Sequence, residues 1–172
     1  TARMINRVLA KRGRHPLAAH TIPGGDGALV VAQENAEDSV ELGLRDLDRA
    51  LEGARNVVFF GITCGLSAPS VMGQVEHLRN RENTLVVLLG FNPPDRARSS
   101  PIEGWDATCR DVVQRLADDP RHVLLTPVVG PEAITGSTRL KGGTATLMLV
   151  QMLTFCALGR AGYLTEEEAA EL

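Results

Sequence analysis

The run of residues 61–69, GITCGLSAP, combines small residues with hydroxyl groups directly after an apolar stretch. Thr63 and Ser67 can donate hydrogen bonds, glycine lets the backbone approach a ligand, and Pro69 is typical of a helix start. Ligands of open α/β sheets bind where strands end, and helix N-termini attract anions. The pattern favours a phosphate over a metal ion or a base. The alternative is an ordinary strand-to-helix turn capped by Ser67.

A second run with the same chemistry, TGSTRLKGGT at 135–144, precedes the longest predicted helix. It adds two cations, Arg139 and Lys141, which again suit an anion. Because these cations are two residues apart, they cannot share one helix face. The alternative is that Ser137 or Thr138 caps the helix while the cations are solvated.

A third segment, QENAEDS at 33–39, carries carboxylates before a predicted helix. Such residues commonly stabilise a helix N-terminus. The functional alternative is a carboxylate that faces sugar hydroxyls as an acceptor or an acid–base group. Glu34 and Glu37 are three residues apart, and the pattern does not choose between them.

Composition narrows the classes of function. The formal net charge of the 172 residues is −3 and no long basic run is present, which argues against nucleic-acid binding. The three cysteines are widely spaced, and no cluster of metal-ligand spacing or cofactor motif occurs, so we expect neither a metal ion nor a cofactor. The apolar region 147–158 is shorter than a bilayer span, and we expect no membrane contact and a cytoplasmic location.

Apolar runs alternate with helical patterns along the chain, which predicts an α/β fold with a parallel sheet in a three-layer sandwich. The predicted strands are 17–22, 56–62, 84–91 and 122–129, and the predicted helices are 39–51, 69–79, 105–116 and 139–158. The Pro-rich connection 92–101 is too long for a routine loop and is predicted to carry a contact.

The two ends of the chain also carry helical patterns. Residues 1–12 read as a helix with no strand before it, and 165–168 (TEEE) has the form of a capping box that opens another. We therefore expect a single domain over 1–172 that is cut at both ends, with a first strand and a first phosphate loop outside this chain.

The segments together resemble a known family. The run VGPEAITGSTRLK at 129–141, and Gly24-Gly25 followed by ENAEDS at 34–39, resemble the signature of the group of N-acetylmuramic acid 6-phosphate etherases and glucokinase regulatory proteins. The runs 61–69, 90–94 (GFNPP) and 101–105 (PIEGW) resemble the regulatory branch, since the etherases carry an Ala-Ser-Gly-Arg-Thr-Pro type of sequence in the first of these.

The resemblance implies a sugar isomerase (SIS) domain of flavodoxin-like or Rossmann-like architecture with a five-stranded parallel sheet. It also implies a sugar-phosphate site with no catalytic residues. Glu37 matches the carboxylate that contacts the sugar. Four residues match the phosphate-side loop: Thr63, Cys64, Gly65 and Ser67. Three more match the third loop of the family: Ser137, Thr138 and Arg139.

One departure separates the two branches. The etherases use two glutamates, and the position of the second falls on Asn6 in this sequence. An amide cannot exchange a proton at a useful pKa, so an acid–base elimination would lose one partner.

The resemblance therefore favours a non-catalytic domain that binds a fructose phosphate within a regulator of a glucokinase-like sugar kinase. Such a regulator is expected in the cytoplasm, or in the nucleus if it is eukaryotic. The alternatives are a lyase that cleaves the lactyl ether of N-acetylmuramic acid 6-phosphate and an aldose–ketose phosphate isomerase.

Overall fold

A computed structural model describes residues 1–31, 33, 35–165 and 167. The chain forms two compact units, one from Thr1–His20 with Gly143–Leu172 and one from Thr21–Gly142. Five helices and three strands occur in the described part: α1 (Ala2–Lys11), α2 (Val40–Ala50), β1 (Val57–Ile62), α3 (Pro69–Arg79), β2 (Thr84–Leu89), α4 (Cys109–Ala117), β3 (Val123–Leu125) and α5 (Lys141–Arg160).

The unit Thr21–Gly142 is built on a parallel sheet in the order β1-β2-β3. Phe59 of β1 stands opposite Val86 of β2, and Val87 stands opposite Val123 of β3. The α/β class with a parallel sheet is therefore confirmed. The predicted strand 122–129 is shorter than expected, because only three of its residues pair with β2.

Helix α3 organises the core of this unit, since it packs against β1, β2, α2 and α4. Glycines allow α2 to come close to it: a Cβ on Gly43 would lie 2.5 Å from the backbone oxygen of Ser70. The buried side chains between the helices and the sheet include Leu47, Leu66, Met72, Val75, Leu78, Val86, Leu88, Val112, Val113 and Leu116.

The other face of the sheet is apolar as well. It carries five side chains that are each more than a third exposed: Val58, Phe60, Ile62, Leu85 and Val123. A second layer of helices over this face, as in the predicted three-layer sandwich, stays a prediction.

The second unit contains α1 and most of α5. The predicted helix at the start of the chain is confirmed, and its Val8 joins Leu158 and Leu164 in a small core. By length and composition alone, α5 would be able to cross a membrane, which is weak evidence because the core helices of many globular proteins pass the same test. The absence of membrane contact stays a prediction. The capping box predicted at 165–168 lies partly outside the described residues.

Two expectations about elements are wrong. Residues 17–22 form no strand. The side chain of Asn6 holds the start of this segment, since its oxygen accepts from the N–H groups of Leu17 and Ala18 at 3.0 Å each. Helix α4 begins at Cys109 and not at residue 105, because Thr108 and Asp111 form a capping box there.

Candidate functional site

The loop after β1 is held in shape by Thr63. Its buried hydroxyl oxygen accepts hydrogen bonds from the N–H groups of Ser67 and Ala68, both at 3.2 Å. Leu66 adopts a left-handed conformation with φ of 53° and is fully buried. Most side chains avoid this conformation, so burial of the leucine against the core must compensate for it.

Residues after β2 also hold the same loop through hydrogen bonds. The N–H of Phe91 donates to the carbonyl of Cys64 at 2.8 Å, and the side-chain amide of Asn92 donates to the carbonyl of Gly65 at 3.1 Å. The N–H of Arg98 donates to the carbonyl of Leu66 at 3.2 Å. Hydrogen bonds from Phe91, Asn92 and Arg98 therefore hold the loop in place within the unit.

This loop presents hydrogen-bond donors at the start of α3. The helix has no acidic residue in its first turn, and no side chain caps it. No described residue accepts from the N–H groups of Ser70 and Val71, and the exposed Ser67 hydroxyl bonds to no described residue. Backbone N–H groups and a hydroxyl at a helix N-terminus can bind a phosphate or another anion.

The segment before α5 is arranged differently. The carboxylate of Glu132 caps the helix, because it accepts from the N–H groups of Lys141 at 2.7 Å and Gly142 at 2.8 Å. The alternative reading of this segment, a cap by Ser137 or Thr138, is therefore wrong. Ser137 is half-buried, whereas Thr138 and Arg139 are exposed and lie before the first residue of the helix.

The two loops meet at Cys64. A Cβ placed on Gly142 would lie 3.1 Å from the Sγ of Cys64 and 3.2 Å from Oε1 of Glu132. A side chain at this position would force Cys64 or Glu132 to shift by a few tenths of an ångström. The structure thus brings Cys64 of the first predicted loop close to the start of α5, with the Glu132 carboxylate beside it.

Sequence reasoning gave Glu132 no role, although it lies within the recognised signature. Its partners are nine and ten residues further along the chain, and no helix-capping spacing links positions so far apart. The sequence feature that could have indicated this cap was an acidic residue after Pro131 together with the glycines at the start of the helix.

Glu37 lies in a short 3-10 turn, Ala36–Asp38, that packs against α3. Its side chain is exposed and makes no hydrogen bond to a described residue. The next residue, Asp38, accepts a 2.8 Å hydrogen bond from the guanidinium of Arg98. Glu34, the other carboxylate considered for this role, lies outside the described residues.

Both the oxygen and the nitrogen of the Asn6 side-chain amide make hydrogen bonds within its own unit. Besides accepting from Leu17 and Ala18, it donates from Nδ2 to the carbonyl of Ala18 at 2.8 Å. Among the described residues, no group of three metal-binding side chains occurs.

Two ionisable side chains are buried in the described part of the Thr21–Gly142 unit, Cys109 and His122. Burial raises the pKa of the Cys109 thiol to about 11, so this cysteine stays protonated at neutral pH. His122 accepts at Nδ1 from the N–H of Val86 at 3.2 Å, which makes it a structural residue beside β2.

The chain is similar in sequence to two groups of known proteins. Residues 1–79 match the model of the glucokinase regulatory protein N-terminal SIS domain. The chain is 41% identical over 160 residues to the glucokinase regulatory protein of Xenopus laevis, a match covering 91% of this chain and 26% of that protein. It is 38% identical over 141 residues to the N-acetylmuramic acid 6-phosphate etherase of Vibrio atlanticus (strain LGP32), covering 82% of this chain and 39% of the etherase.

The chain belongs to the SIS-domain group that contains these regulators and etherases. The human glucokinase regulatory protein is 40% identical over 158 residues, which cover 88% of this chain. The chain spans about a quarter of the length of the regulatory proteins that it matches.

Proposed function

We propose that this SIS domain binds a fructose phosphate without transforming it, and that it does so within a regulator of a glucokinase-like sugar kinase. The observation that carries the proposal is the loop 63–68, which the Thr63 hydroxyl holds in shape and which leaves the first N–H groups of α3 and the Ser67 hydroxyl without a partner among the described residues. A phosphate group fits such donors, and each hydrogen bond to a charged group contributes roughly 1.5–3 kcal/mol.

The family supports the ligand class and the kinase partner. The relatives with the highest identity given above are regulators named for glucokinase, and the run 61–69 resembles the regulatory branch. In the proposed complex the phosphate lies at the start of α3 near Ser67, while Glu37 accepts hydrogen bonds from sugar hydroxyls. Ser137, Thr138 and Arg139 contribute from the second loop.

The hydrogen bonds of Asn6 and Glu132 support a binding role over etherase chemistry. An elimination needs one group to remove a proton and another to protonate the departing oxygen, each contributing about 10²–10⁴-fold. Asn6 has no exchangeable proton of suitable pKa and is engaged with residues 17–18. Glu132 lies near Cys64, but both of its oxygens accept backbone hydrogen bonds at α5.

Calorimetric titration of the full-length protein tests the ligand. We expect saturable binding of a fructose phosphate, weaker binding of glucose phosphates and weak binding of inorganic phosphate. A glucokinase activity assay, run with the protein and with and without the fructose phosphate, tests the partner. Binding of none of these ligands would contradict the proposal.

Incubation with N-acetylmuramic acid 6-phosphate tests the alternative. We expect no released lactate. Turnover on the order of 1 s⁻¹, within the usual range of enzymes, that is lost in Glu37→Gln would place the chain with the etherases.

A further inference from the structure

Arg98 lies in the Pro-rich connection between β2 and α4, where the sequence predicted a contact. Its backbone is fixed on both sides, because its N–H donates to the carbonyl of Leu66 at 3.2 Å and its carbonyl accepts from the N–H of Arg110 at 3.0 Å. The preceding Ala97 is almost fully buried. Arg98 is thereby attached directly to the loop that carries Ser67.

The side chain of Arg98 contacts Asp38, in the segment 33–39 that also contains Glu37. Its Nη1 lies 2.8 Å from Oδ1 of Asp38, and its Nε donates to the hydroxyl of Ser100 at 2.9 Å. Asp38 ends the 3-10 turn that contains Glu37, and its own N–H bonds to the carbonyl of Asn35 at 3.1 Å. One residue therefore touches both the phosphate-side loop and the turn that carries the sugar-side carboxylate.

We propose that Arg98 is a positioning residue for sugar recognition, which acts through Asp38 to hold Glu37 at a set distance from the loop 63–68. The inference rests on the proposed function. A guanidinium suits this task, because its planar fork fixes the direction as well as the distance of a carboxylate partner. Neither Arg98 nor Asp38 needs to touch the ligand.

The pair is partly exposed, with 33% of the Arg98 side chain and 51% of the Asp38 side chain accessible. Exposed ion pairs are weak, so the expected change in affinity is about two- to five-fold. The change should be confined to ligands that reach both sides of the site. A fructose phosphate reaches both, whereas inorganic phosphate reaches only the donors at α3.

The experiment measures both ligands by calorimetry on the full-length protein. Arg98→Ala and Asp38→Ala are each expected to weaken fructose phosphate binding about two- to five-fold, and the double variant no more than the larger single effect. Inorganic phosphate binding should not change. Arg98→Lys, which keeps the charge, should restore part of the sugar affinity.

Arg96→Ala is the matched control. It removes an arginine from the same connection, but Arg96 is 78% exposed and lies 4.0 Å from Asp95. We expect it to leave both affinities unchanged. Because Asp38 is half-exposed, Asp38→Asn provides a well-folded variant if Arg98→Ala lowers the melting temperature strongly.

The possible failures are distinguishable. An equal loss of both affinities, or no change in either for the Arg98 and Asp38 variants, overturns the role of Arg98 while the proposed function stands. An unaltered protein that binds neither ligand overturns the proposed function and the inference with it.

Discussion

The two glycine- and hydroxyl-rich loops of this domain are alike in sequence and different in structure. Residues 63–68 lead into α3, whose first turn contains no acidic residue. Residues 132–140 lead into α5, whose first N–H groups are already bound by the Glu132 carboxylate. The electrostatic attraction of a helix N-terminus is the same in both cases, but α5 has a carboxylate on its first N–H groups, whereas no side chain caps α3.

The comparison teaches that a loop pattern indicates an anion site only when the chain does not supply the anion itself. At α5 the Glu132 carboxylate accepts from the first N–H groups of the helix, whereas at α3 a phosphate is proposed to do so. In the proposed complex, the second loop therefore contributes through the side chains of Ser137, Thr138 and Arg139 and not through the helix start.

The largest expected effect comes from the attachment of the first loop to the core. A Cβ on Gly90 would lie 2.4 Å from Cδ2 of Leu66 and 3.0 Å from the carbonyl of Thr63. Gly90→Ala should therefore displace Leu66 and lower the free energy of unfolding by about 1–3 kcal/mol, as overpacking usually does. Thermal or urea unfolding measures it.

Gly159→Ala is the control for this change, because Gly159 lies in α5 with its nearest relevant atom 3.9 Å away. It should be neutral or stabilise the protein slightly, since alanine favours a helix. Equal melting temperatures for Gly90→Ala and the unaltered protein would show that the first loop is not held by Leu66.

The second expected effect concerns the cap of α5. Glu132→Ala removes the acceptor of two backbone N–H groups and should cost about 0.5–2 kcal/mol of stability, the range for a lost helix cap. It should also free the start of α5, so that inorganic phosphate binds more tightly than to the unaltered protein. Unfolding and calorimetry report the two effects.

Glu103→Ala removes an equally charged but exposed side chain and serves as the control. We expect Glu103→Ala to leave the phosphate affinity unchanged. An unchanged phosphate affinity in Glu132→Ala, or a decrease that Glu103→Ala does not show, would contradict the proposal that Glu132 keeps anions from the start of α5.

The smallest expected effect is on thiol reactivity. Cys64 is half-buried in the first loop, Cys156 is exposed, and Cys109 is buried. A bound fructose phosphate should slow the alkylation of Cys64 by iodoacetamide and leave the rate at Cys156 unchanged, as peptide mass spectrometry can follow. Equal rates at Cys64 with and without a saturating ligand would place the ligand elsewhere.

Sequence periodicity predicted the parts of the fold that depend on local pattern. The central strands and α3 lie within a few residues of their predicted bounds, because valine- and leucine-rich runs and the start at Pro69 are unambiguous. The strand at 17–22 failed because the Asn6 side chain, eleven and twelve residues away, takes backbone groups that a sheet would need. β-propensity cannot account for such a tertiary contact.

The site was predicted only in part, because some of its contacts join residues that are far apart in the sequence. Thr63 to Ser67 follow one another in the chain, so their shared loop was evident from the sequence. The contact of Arg98 with Asp38 joins residues 60 positions apart, and that of Glu132 with α5 depends on how an irregular loop folds back. Both require coordinates, since neither follows from a periodic pattern.

The most direct test of the account is a calorimetric comparison of Ser67→Ala with Ser137→Ala in the full-length protein, titrated with a fructose phosphate. Both remove one hydroxyl from a loop of similar sequence. The account predicts that Ser67→Ala weakens binding about ten-fold or more, as expected for a lost hydrogen bond to a charged group, and that Ser137→Ala has a smaller effect. Unchanged affinity in Ser67→Ala, or a larger loss in Ser137→Ala, would contradict it.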